Sequence, residues 1–136
     1  MTDFSDPAAV QAALDASPFQ AGLGLRLVSM EADRFVVDLP WKPSLARQGG
    51  SDQVHGGVIA ALLDIAGDYA LAGRLGHFVP TVDLRCDYLR PASGDLRAVA
   101  RVVRCGRTLG VVDIVVTDPA GREVAIGRGT YLTRAG

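Results

Sequence analysis

The stretch Val54-His55-Gly56-Gly57-Val58-Ile59-Ala60-Ala61-Leu62-Leu63-Asp64-Ile65-Ala66-Gly67-Asp68-Tyr69-Ala70-Leu71-Ala72 decides the fold. It is long, free of proline and apolar nearly all round, so it reads as a helix from Val54 to about Leu75. Gly76 stands where a C-terminal stop belongs. A helix of this kind is buried and needs a surface that wraps around it. The flanks supply that surface. Leu23–Met30 and Arg34–Leu39 read as strands that form a hairpin across Glu31-Ala32-Asp33. Four more strands follow the helix, at roughly 80–90, 95–105, 109–117 and 122–133. In the first of these, Val82, Leu84, Cys86 and Tyr88 alternate with Thr81, Asp83, Arg85 and Asp87. That pattern places one apolar face on a core and one charged face outward. Residues 6–16 read as a short helix, with Asp6 as N-cap, Pro7 at the first position and Ser17-Pro18 as the break. The class is therefore α+β: one long central helix wrapped by a curved antiparallel sheet, preceded by a short N-terminal helix.

Composition narrows the function. The chain has 136 residues, 49% hydrophobic and 21% charged, with a formal net charge of −1. The length suits a single domain over residues 1–136. Near-neutral charge argues against a nucleic-acid or anionic-membrane partner. Cys86 and Cys105 are too few for a disulfide scaffold, and His55 and His77 stand apart from them, so no metal site is expected. The N-terminus shows no basic and apolar leader pattern. The run Val54–Ile65 is too short to span a bilayer, so a cytoplasmic protein is expected.

Chemistry concentrates at the start and middle of the long helix. Gly56-Gly57 lets a ligand approach the backbone, and the first turn of a helix offers unpaired N–H groups and partial positive charge. Such amides polarise a carbonyl whose oxygen becomes negative. The dipeptide by itself is more simply read as a tight loop-to-helix turn. Asp64 interrupts an apolar run, and Asp68 stands one turn further on the same face. A carboxylate there is paired, hydrogen-bonded or open to a cleft. The pair also fits the wet stripe of an amphipathic helix. Gly57 and Asp64 share a face but are separated by a rise of roughly 10.5 Å. One carbonyl cannot be polarised at Gly56 or Gly57 and attacked near Asp64 of the same helix. A catalytic reading thus requires two helices and a homodimer with sites at the interface.

Val54-His55-Gly56-Gly57-Val58 followed by Asp64 resembles the hotdog-fold acyl-CoA thioesterases, in particular the phenylacetic acid degradation type. Thr81-Val82-Asp83-Leu84, Tyr88-Leu89-Arg90-Pro91-Ala92, Arg104-Cys105-Gly106-Arg107 and Val124–Thr130 extend the resemblance over roughly residues 20–133. It implies hydrolysis of an acyl-CoA without a cofactor, coenzyme A being part of the substrate, by a homodimer paired into a dimer of dimers. By position, Gly56 matches the amide that polarises the thioester carbonyl and Asp64 the general base or nucleophile. Thr81 matches the hydroxyl that orients water, and His55 lies near the leaving sulfur. Gly57, Asp68, Arg90 and Arg107 are candidate substrate contacts, the arginines for the nucleotide phosphates or as ordinary surface residues. One position departs from the family. Gly49 stands where relatives carry Asn or Gln, so Gln48, Ser51, Asp52 or Gln53 would have to serve. That departure keeps a non-catalytic acyl-CoA-binding protein as the alternative. A hydratase would need a differently paired histidine, and Ser51 has no nucleophile-elbow frame.

Overall fold

The computed structural model describes residues 1–134. Helix α1 spans Pro7–Ala16 and α2 spans Pro18–Leu23; strands β1 (Arg26–Glu31) and β2 (Arg34–Leu39) follow. A 3-10 turn at Pro43–Leu45 leads to α3 (Gly56–Leu75) and then to β3 (Thr81–Tyr88), β4 (Leu96–Cys105), β5 (Leu109–Thr117) and β6 (Glu123–Leu132). The six strands form one antiparallel sheet in the order β1-β2-β4-β5-β6-β3. Helix α3 packs against every strand. No helix among the described residues is long and apolar enough to cross a membrane.

The central helix is as the sequence predicts, except that it begins at Gly56 with His55 as its N-cap, not at Val54. It ends in a left-handed Gly76 (φ 81°) whose N–H reaches Ala72 O. Ile59, Leu62, Leu63, Ala66, Tyr69, Ala70 and Leu71 are buried against the inner sheet face. From the sheet, Phe35, Val37, Leu39, Ala98, Ala100, Val112, Ile114 and Val116 meet them. These strand residues alternate with outward residues, the period-2 pattern that seats one sheet face on a core.

Two expectations need correction. Ser17-Pro18 ends α1 but also starts α2, because Pro18 suits a first helical position and Ser17 accepts from Gln20 N. The expected strand at Leu23 therefore begins only at Arg26, past Gly24. The apolar residues of β3 are not a sealed core face either. Leu84 and Cys86 are half-buried, while Val82 is 59% and Tyr88 53% exposed. The reason is topological: β3 lies at the end of the strand order, with only β6 beside it.

Candidate active site

The start of α3 uses its first-turn amides unequally. Gly57 N–H donates to His55 Nδ1 at 2.8 Å, and Val58 and Ile59 N–H both reach His55 O, at 3.0 and 3.3 Å. The His55 backbone is itself tied to Leu45 O at 2.8 Å. Among the described residues nothing accepts from Gly56 N–H, so this is the open donor of the turn. Accepting at Nδ1 places the proton of a neutral His55 ring on Nε2. Gly57, expected to face substrate with its amide, spends that amide on the cap instead.

Tyr88, at the end of β3, donates its hydroxyl to Gly56 O at 2.6 Å, and its ring lies 3.5 Å from where a Gly56 Cβ would stand. Burial and the adjacent Cys86 thiol push the phenol pKa up, so Tyr88 remains a donor. Beside it opens a recess of about 350 Å³ whose lining includes Arg47, Gln53, Gly56, Tyr88 and Arg90. Arg47 holds Gln53 Oε1 at 2.9 Å, which leaves the Gln53 amide N–H groups for other partners. Gln48 lies elsewhere, in a hollow with Trp41, Gly49 and Asp52.

A second group of residues sits near the middle of α3. Thr81 donates its hydroxyl to Asp64 Oδ1 at 2.6 Å. Strict alternation would turn Thr81 away from the side shared by Leu84 and Tyr88. An extra residue on β3 between Thr81 and Asp83, where pairing shifts from Tyr131 to Thr130, re-aims it toward α3. Tyr131, fully buried, donates to Asp64 O at 3.0 Å. It fits because position 67 is glycine: a Cβ there would stand 2.1 Å from the Tyr131 hydroxyl. Asp68 Oδ1 accepts from Val79 N at 2.9 Å. Desolvation pushes the Asp68 pKa up to about 6, with the Asp64 charge adding to it.

Gly56 and Asp64 are thus separate in one chain. Eight residues of helix part them by roughly 12 Å, and Asp64 does not line the Gly56 recess. Arg90 lies at the Gly56 end. Arg107 lies at the other end, in the β4–β5 turn, which Thr133 ties down through Gly106 O and Thr108 O. Leu132 N–H to Pro80 O joins that region to the start of β3. Sequence reasoning missed Tyr88 and Arg47 at the recess and Tyr131 beneath Asp64. Tyr88 and Tyr131 act through contacts distant in the chain and Arg47 through a loop contact with Gln53, and the only sequence signals were an aromatic at a strand end and a glycine on α3.

The geometry of one sheet around one helix has counterparts. The sequence profile described as Thioesterase superfamily matches residues 53–125. A protein of Halobacterium salinarum, named provisionally as an esterase, is 38% identical over 95% of this chain and 93% of its own length. The medium/long-chain acyl-CoA thioesterase YigI of Escherichia coli is 27% identical over 85% of this chain and 84% of its own. The solved PaaI protein from the E. coli phenylacetic acid degradation operon superposes with a TM-score of 0.82 at 27% identity, covering 93% of this chain and 91% of that one. The profile match extends from the loop before α3 into the start of β6, and it is joined by a relative similar along nearly the whole chain and by a matching hotdog architecture. The chain belongs to the thioesterase superfamily.

Proposed function

We propose that this chain is an acyl-CoA thioesterase, hydrolysing a thioester to a free acid and coenzyme A. The observation that carries the reading is the single open amide at Gly56, set against the Thr81–Asp64 pair. In this mechanism the thioester oxygen accepts from Gly56 N–H, which stabilises the negative charge that develops on it. Asp64 takes a proton from water held by Thr81 as that water attacks the carbonyl, or attacks the carbonyl itself to form an acyl–Asp64 anhydride that water then hydrolyses to the free acid. Collapse of the tetrahedral intermediate breaks the C–S bond, and the Nε2–H of His55 faces the departing thiolate. Acyl-CoA thioesterase activity in YigI supports the substrate class.

The two halves of the site come together if β3 pairs with a second copy. Its free edge is open, and exposed apolar strand edges invite such pairing. Antiparallel self-pairing centred between Leu84 and Arg85 sets Thr81 of one protomer opposite Tyr88 of the other. Thr81 carries Asp64 beside it and Tyr88 carries Gly56, so each composite site takes one group from each protomer. The same pairing brings the Arg107 end of one protomer to the Arg90 end of the other, where the nucleotide phosphates would lie. We extend this to a homodimer assembled as a dimer of dimers.

Gly49 favours a second reading, an acyl-CoA-binding protein without turnover. Release of free thiol from a panel of acyl-CoAs separates the two. The enzyme reading expects turnover of at least one member and a loss of roughly 10²–10⁴-fold in Asp64→Asn. A panel with no thiol release leaves the binder, and an undiminished, folded Asp64→Asn protein removes Asp64 from the mechanism.

A further inference from the structure

Asp68 is oriented away from the role its position suggests. It shares a face of α3 with Asp64, yet Oδ1 is engaged by Val79 N–H at 2.9 Å. Val79 is buried, and it is followed by Pro80 and then Thr81, whose hydroxyl reaches Asp64 at 2.6 Å. The Pro80 carbonyl accepts from Leu132 N–H. The chain entering β3 is thus held on two sides: by α3 through Asp68 at Val79, and by β6 through Leu132 at Pro80. Between these ties and the bulge that follows, Thr81 has little freedom. The two carboxylates, one turn apart, hold the same short segment, one through its backbone and one through its side chain.

We propose that Asp68 is a positioning residue for hydrolysis: by anchoring Val79 it fixes the Thr81 hydroxyl on Asp64. This rests on the reading of Asp64 and Thr81 as the water-activating pair. Asp68 acts through Val79 and touches no reacting atom. A misplacement of about 1 Å at a reacting group costs on the order of 10²-fold in rate, so the effect falls on kcat. Asn preserves an acceptor oxygen for Val79 and Ala does not.

The test compares wild type, Asp68→Ala, Asp68→Asn, Thr81→Val, the Asp68→Ala/Thr81→Val double variant and Asp64→Asn with one hydrolysed acyl-CoA. Asp68→Ala should lower kcat by ~10–100-fold with KM changed by less than about threefold. Asp68→Asn should recover most of that loss. In the Thr81→Val background Asp68→Ala should add little, because both changes disable one contact. A full multiplicative loss in the double variant, an effect mainly on KM, or an Asn variant as poor as Ala overturns the proposal. If Asp64→Asn is inactive while Asp68→Ala is not, only the positioning role fails; if Asp64→Asn is fully active, the catalytic reading fails first. Amide hydrogen exchange in the wild-type protein checks the anchor without any variant: Val79 N–H should be protected, and a freely exchanging Val79 overturns it.

Discussion

Replacing Asp68 with Asn should stabilise the protein, and by an amount that depends on pH. The Asp68 pKa rises from 3.8 to about 6 on folding, chiefly through desolvation. Between those values the unfolded chain has lost the proton and the folded chain retains it. Unfolding then releases a proton, so this group's contribution to stability falls as pH rises from about 4 to about 6 and is constant above. At 1.36 kcal/mol per unit, the penalty approaches about 3 kcal/mol near pH 7.5 and is only about 0.5 kcal/mol near pH 4. Asn carries no charge at either pH and still offers an oxygen to Val79 N–H. Its NH₂ group faces a half-buried site and takes back about 1 kcal/mol. The expected gain is therefore about 2 kcal/mol near pH 7.5, an increase in Tm on the order of 10 °C, with no gain near pH 4. Urea unfolding of both proteins at both pH values, at one protein concentration, measures it. Titrating groups that do not feel the Asp68 charge are common to the two proteins and cancel in the difference. A stability difference that does not change with pH, or one that favours the wild type near pH 7.5, refutes the assignment of the raised pKa to Asp68.

Gly67→Ala places a Cβ 2.1 Å from the Tyr131 hydroxyl, so Tyr131 must leave Asp64 O. Overpacking should cost roughly 1–3 kcal/mol, seen in urea unfolding, with a lower kcat; unchanged stability would show that Tyr131 has room to move. Gln53→Ala should raise KM for the acyl-CoA or lower kcat by roughly tenfold, while Gln48→Ala should change neither, because only Gln53 lines the Gly56 recess. The reverse order would return the role to Gln48. Gly56→Pro should fold, since proline suits the first helical position and His55 (φ −59°, ψ 135°) already has the extended conformation that a following proline requires. Without the amide it should lose roughly 10²–10³-fold in kcat.

Features set by local chemistry were legible before the structure. The length of α3 followed from its apolar run and the glycine after it, and the four strands beyond it were legible from their apolar runs and the turn residues between them. His55, Gly56, Asp64 and Thr81 were legible as candidates through the family resemblance. What was not legible depended on contacts between distant segments. Ser17-Pro18 reads as a stop, but the same chemistry starts α2. The direction of Thr81 depends on a bulge defined by pairing with β6. The exposure of Val82 and Tyr88 depends on β3 being last in the sheet order. The choice between Gln48 and Gln53 depends on the loop's bridges, Ala46 with Val54 and Gln53 with Ser93. The raised carboxyl is Asp68 because Val79 and its surroundings close over it, which helix periodicity alone cannot show.

In the proposed dimer each active site draws Gly56 from one protomer and Asp64 from the other. Mixing Gly56→Pro and Asp64→Asn subunits by co-refolding tests it directly, with thiol release from an acyl-CoA as the readout. Each mixed dimer would hold one site with both native groups and one with neither. Random pairing makes half of the dimers mixed, so activity should recover to about a quarter of the wild-type level from two nearly inactive parents. A mixture in which subunits demonstrably exchange and activity stays at the parents' level contradicts it.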